Sequence, residues 1–94
     1  MLGEQPDDLF LIYALAMEYL GMNNTNEATV YFEKVMILDE NYVPVYYQLG
    51  KIYENAGREK DAIAMYEKGL TAAQIKNDSK ATRELRAALD EILF

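Results

Sequence analysis

The stretch IYALAMEYLGMN at residues 12–23 returns, lightly altered, as YYQLGKIYENAG at residues 46–57. At this offset of 34, Tyr13 meets Tyr47, Leu15 meets Leu49, Tyr19 meets Tyr53, Ala28 meets Ala62, and Glu33-Lys34 meets Glu67-Lys68. Near-matches add Ala16 with Gly50, Glu27 with Asp61 and Phe32 with Tyr66. Large and small side chains thus follow one fixed order twice. Two helices approach within about 8–10 Å only where one or both present small side chains. Ala16, Gly50, Ala28 and Ala62 are placed to allow that approach. Leu15, Tyr19 and Phe32, with Leu49, Tyr53 and Tyr66, are placed to fill the space around it.

The segments between these landmarks read as helices. Pro6 suits a first helical turn, and Asp7 with Asp8 would set negative charge against the positive end of the helix dipole. From Leu9 to Met22 apolar residues recur at spacings of three and four, with Ile12, Leu15, Ala16 and Tyr19 on one face. Asn23 tolerates the left-handed conformation that ends a helix, and NTNE at residues 24–27 reads as a capping box opening the next. The second helix runs through Ala28, Tyr31, Phe32, Val35 and Met36 to about Leu38. After the break DENYVP, a third spans roughly Pro44 to Ala56, and Gly57 supplies the next left-handed stop. A fourth runs from about Glu59 through Leu70 and on toward Ile75. Asp78 or Ser79 then caps a fifth, whose apolar stripe is Leu85, Ala88, Leu89 and Ile92. No segment alternates as a strand does.

A 34-residue period, two helices per unit and this order of signature residues resemble the tetratricopeptide repeat. The resemblance covers about Leu9 to Gln74. It implies an all-α fold in one domain, 1–94: an antiparallel helix-turn-helix array, or α-solenoid, with repeats at about 9–42 and 43–76 and a C-terminal capping helix at about 79–93. The chain as a whole is similar to small stand-alone bacterial proteins built from this repeat. The family often has tryptophan or another large residue where Ile12 and Tyr46 stand, and often proline where Glu40 and Gln74 stand. Without proline at 74, the fourth helix is free to run past its usual end and shift the docking of the cap.

Composition narrows the function. The 94 residues are half apolar and about a quarter charged, which suits one small globular domain with a thin margin of stability. With no cysteine there is no disulfide, thiolate metal site or thiol nucleophile, and with no histidine the usual general base is missing. Ser79 has no partner base. The acid pairs Asp7-Asp8, Asp39-Glu40 and Asp90-Glu91 point different ways from helices, and Gly3, Gly21, Gly50, Gly57 and Gly69 form no phosphate loop. The expectation is a chain that is not an enzyme, with no catalytic residue, metal or cofactor.

The net charge of −7 lies in the first half: eight acids face one base through Gly50, and eight face eight from Lys51 onward. That balance argues against nucleic acid as a partner. No run approaches the ~20 apolar residues of a membrane span. A cytoplasmic location is expected, because MLGEQPDD has neither a basic stretch nor a long apolar core.

In the family that the sequence resembles, the first helix of each pair lines a concave groove. The matching positions here are Phe10, Tyr13, Met17 and Leu20, then Tyr47, Lys51, Glu54 and Asn55, whereas Tyr19, Tyr53 and Tyr66 fall at packing positions. The first half of that groove is apolar for an exposed surface, which marks an interaction site unless the leader Met1 to Gln5 or the capping helix covers it. Members that grip acidic chaperone tails use Lys, Asn and Arg. Those places hold Phe10, Tyr13, Ala14 and Met17, then Pro44, Tyr47 and Gln48, so only Lys51 is of a suitable type and an acidic tail would be repelled. The expected function is a protein–protein interaction scaffold or adaptor that holds a neutral or basic peptide or protein segment. The alternative is a self-associating structural protein, a homo-oligomer whose groove, or whose cap face with Leu93 and Phe94, is filled by its own mate. Two repeats are fewer than the three usually wanted for stability.

Overall fold

The computed structural model describes residues 8–94, and among them every regular element is a helix. The order is α1 (Leu9–Gly21), α2 (Thr25–Leu38), α3 (Val43–Asn55), α4 (Glu59–Ile75) and α5 (Ser79–Leu93). Consecutive helices pack against one another, α1 on α2, α3 on α4 and α5 on α4, and the α2–α3 contact joins the two pairs. The odd-numbered helices share one side of the array, where α3 and α5 enclose a valley; α2 and α4 share the other, where Ile37 and Ile75 border a second cleft.

Three of the four turns are the same object. Asn23, Gly57 and Asn77 take positive φ of 61°, 77° and 55°. In each turn the next residue donates its N–H five residues back, Asn24 to Tyr19, Arg58 to Tyr53 and Asp78 to Ala73, all at 2.8 Å. This is the Schellman closure, which satisfies carbonyls that a helix end leaves orphaned. The α2–α3 connection differs: Asp39 is extended at φ −150°, and its side chain accepts from the Asn41 N–H at 2.9 Å. The α4–α5 junction therefore closes as a hairpin and not as a link between repeats, which seats α5 on α4.

Two expectations about helix starts need correction. Asp8 is the N-cap of α1, accepting from the N–H groups of Phe10 and Leu11, and not a first-turn acid; Pro6 and Asp7 lie outside the described residues. The capping box at residues 24–27 does not form, because Asn24 makes no side-chain cap bond. Asn24 (φ −93°, ψ 71°) and Arg58 (φ −94°, ψ 72°) have nearly one backbone geometry with unlike side chains. The preceding Schellman turn fixes that geometry. By contrast Asp78 caps α5 with its side chain, accepting from Ala81 N–H at 3.0 Å.

The core follows the small and large pattern. Ala16, Ala28 and Ala62 are fully buried, as are Phe32, Leu49 and Tyr66. At Gly50 a Cβ would fall 2.6 Å from Cδ1 and 2.7 Å from Cζ of Tyr66, and nearer still to Cε1, so only glycine fits under that ring as it lies. A second close approach, unassigned from sequence, is Gly69, where a Cβ would meet Tyr46 Cβ at 2.8 Å and both Leu85 methyls at 3.0 Å. The equivalent position in α2 is Val35. The glycine lets α3 and α5 converge on α4. As expected, α4 runs past its usual end, over 17 residues against 14 for α2, although Glu40 at the end of α2 lacks the proline too.

Leu15 departs from expectation. Its counterpart Leu49 is 0% exposed, whereas Leu15 is 37% exposed. The helix of Leu49 packs against α2 of the first repeat as well as α4, and among the described residues no helix precedes α1 to flank Leu15 in the same way.

Candidate peptide groove

The groove-side tyrosines rest on rings from the second helix of each pair, and they do so in register. Tyr13 lies 5.5 Å from the Phe32 ring, and Tyr47 lies 6.3 Å from the Tyr66 ring, both tilted. Both pairs are related by the 34-residue offset. Tyr13 also meets Tyr42 edge-on at 5.3 Å, and Phe10, itself largely exposed, meets Tyr42 at 6.1 Å. Backed rings lose less freedom when a partner lands on them than free ones would.

On α3 the next turn adds polarity. The Lys51 ammonium lies 5.5 Å from the Tyr47 ring centroid and 3.8 Å from Glu54 Oε1. Glu54 Oε1 in turn accepts from the Tyr66 hydroxyl at 2.9 Å, which ties α3 to α4. Two further hydroxyls join the pairs: Tyr53 donates to Glu33 Oε2 at 3.1 Å, and Tyr46 donates to the Glu40 carbonyl. Burial raises the pKa of Tyr13, Tyr46, Tyr53 and Tyr66 above the usual phenol value. The nearby Gln48 side chain partly offsets the rise at Tyr13, while Glu40, Glu33 and Glu54 reinforce it at the other three. These phenols stay protonated at neutral pH. They are hydrogen-bond donors and apolar surface, not nucleophiles.

The valley between α3 and α5 has two adjoining sections that share Tyr47 and Glu84. One of about 240 Å³ lies among Pro44, Tyr47, Gln48, Lys80, Glu84 and Leu85, and the other, of about 370 Å³, among Tyr47, Lys51, Glu84, Ala87 and Glu91. Of the sequence-assigned positions, Tyr47 and Lys51 line this valley, and Glu54 sits behind them on Tyr66 and Lys51. Phe10 and Tyr13 gather instead around Tyr42, at the α1–α3 seam, and Gln48 lies between the two groups, close enough to lower the Tyr13 pKa and lining the valley. Met17 and Leu20 lie farther along α1, and Asn55 is exposed at the end of α3.

Sequence reasoning missed the far wall. Lys80, Glu84 and Glu91 on α5 face the valley, so the cap borders the groove as well as closing the array. Their spacing of four and seven residues puts them on one side of a helix and was the available signal. Tyr42, the N-cap residue of α3, was likewise passed over because it sits in a turn.

The family model for the tetratricopeptide repeat matches residues 11–42 and 43–76. A crystal structure of a tetratricopeptide repeat domain protein from Salinibacter ruber is 39% identical, with a TM-score of 0.86 over 90% of this chain and 96% of that one. A solution NMR structure of a tetratricopeptide repeat domain protein from the same organism is also 39% identical, with a TM-score of 0.87 over 93% of this chain and 88% of that one. A search of curated protein sequences finds no match. Period, turn geometry and these likenesses agree, and the chain belongs to the tetratricopeptide repeat family.

Proposed function

We propose that this chain is a non-catalytic, cytoplasmic scaffold that holds a peptide or protein segment across α3, with the α3–α5 valley on one side and the Tyr13–Tyr42 seam on the other. Tetratricopeptide repeats generally mediate protein–protein interaction, and none of the described helices is long and apolar enough to cross a membrane. The observation that carries the reading is Tyr47: a half-buried ring, seated on Tyr66, with a cation over its face and cavity space on its α5 side. Aromatic anchors of this kind dominate binding energy at protein interfaces. Tyr13, Phe10, Met17 and Leu20 extend the apolar contact surface, while Lys51, Glu54, Gln48 and Asn55 set register.

Charge favours a neutral or basic segment. Asp78, Glu84 and Glu91 outnumber Lys51 and Lys80 along the valley, and Glu54 lies beside Lys51. The same balance works against an acidic tail or nucleic acid. The experiment is a pull-down from the native host with mass spectrometry, using the parent chain beside Tyr47→Ala and Tyr13→Ala. A protein held by the parent and lost from both variants, more weakly held at high salt, supports the reading. Equal recovery by all three chains would remove it.

A further inference from the structure

We propose that the outer face of α1 pairs with the same face of a second copy of this chain about a two-fold axis. This surface is separate from the groove. Leu11, Leu15, Glu18 and Met22 follow one another at helical spacing on α1, and their counterparts 34 residues on begin Val45, Leu49 and Ile52. Val45 and Leu49 are 0% exposed on a helix that packs against α2 of the first repeat as well as α4, whereas Leu11 is 46% and Leu15 37% exposed. The face is thus a stacking face by register, built to receive helices, and no described residue fills it as the first repeat fills its counterpart.

The charge distribution selects a second copy laid face to face. Glu18 is the one charged residue in the 13 of α1. At the other end of the array, away from the valley, α5 exposes Arg83, Arg86 and Asp90. Head-to-tail stacking would set an apolar stripe on a charged helix and would also leave an open chain of subunits. Like-face pairing matches apolar to apolar and closes. It also supplies the buried area that an array of two repeats lacks.

Each copy brings an acidic half to this contact, with Glu18 within the stripe itself. Apolar burial therefore drives the pairing and like charge opposes it, so added salt tightens the dimer. Partner binding in the groove has the opposite salt dependence, which keeps the two readings separable.

Sedimentation equilibrium of the full chain at micromolar concentration, at low and high salt, is the test. The expected mass is twice 10.8 kDa. Leu15→Glu should return the monomer with helical circular dichroism retained. Glu18→Ile, which restores the residue type of position 52, should tighten the dimer about tenfold or more. Tyr47→Ala should leave it intact. A monomer mass for the parent and Glu18→Ile chains throughout the micromolar range overturns the proposal. So does a dimer indifferent to Glu18→Ile, or one that survives Leu15→Glu but is lost in Leu93→Glu.

Discussion

The Tyr66 hydroxyl donates to Glu54 Oε1 at 2.9 Å, a bond the first repeat has no means of making, because the equivalent residues are Phe32 and Leu20. A polar pair stands in one repeat where an apolar pair stands in the other. Both rings stay fully buried all the same. It adds a tie between α3 and α4 directly behind Tyr47.

Tyr66→Phe should cost about 0.5–1.5 kcal/mol, because one intramolecular bond is lost while the half-buried Glu54 carboxylate turns to water. Urea unfolding measures it. A loss above roughly 3 kcal/mol would mean that the hydroxyl supports more than this bond.

Gly57 and Gly21 should respond in opposite directions. No atom lies within 4 Å of a Cβ placed at either, so only the backbone decides. Gly57 has φ 77°, and Gly57→Ala should cost about 1–2 kcal/mol for forcing a side chain into the left-handed region. Gly21 is the last residue of α1 without a positive φ, and Gly21→Ala should stabilise by up to about 1 kcal/mol. Melting temperatures of the pair provide the check, and a shift of the same sign in both would contradict the turn assignment.

Alkaline pH should destabilise the fold. Burial, with Glu40, Glu33 and Glu54 adding to it, raises Tyr46, Tyr53 and Tyr66 above their unfolded value. Above about pH 10 the unfolded chain has then lost phenolic protons that the folded chain retains, so stability falls as pH rises and is unaffected by these groups below that point. Urea midpoints on either side of about pH 10 should show the drop, and it should be smaller in Tyr66→Phe. Equal midpoints for the parent would contradict it.

Much of this was legible from Tyr13/Tyr47, Ala28/Ala62 and the stops at Asn23 and Gly57, because period and turn chemistry are local properties of the chain. The overrun of α4 was allowed by the missing proline at Gln74 but not dictated by it, since Glu40 lacks the proline too and α2 stops at Leu38. What escaped depended on neighbours distant in sequence. Leu15 and Leu49 are the same residue in the same register, yet one is exposed because coverage comes from an adjoining unit. Glu54 read as a free groove acid until its bond to Tyr66 was seen. Gly69 carried no signal of its own, since what demands it is Tyr46 and Leu85 on two other helices.

The most direct test is the stability of Gly50→Ala, measured by urea unfolding in the parent and in Tyr66→Phe. A glycine inside an ordinary helix gains about 1 kcal/mol on becoming alanine. Here the new methyl would press on the Tyr66 ring, which Glu54 holds by its hydroxyl and on which Tyr47 rests. The expected result is a net loss of about 1–2 kcal/mol from overpacking, reduced by at least ~0.5 kcal/mol when Tyr66→Phe frees the ring to settle as Phe32 does opposite Ala16. A gain of about 1 kcal/mol in the parent would contradict it, because the helices would then not cross at Gly50 and Tyr47 would have no floor.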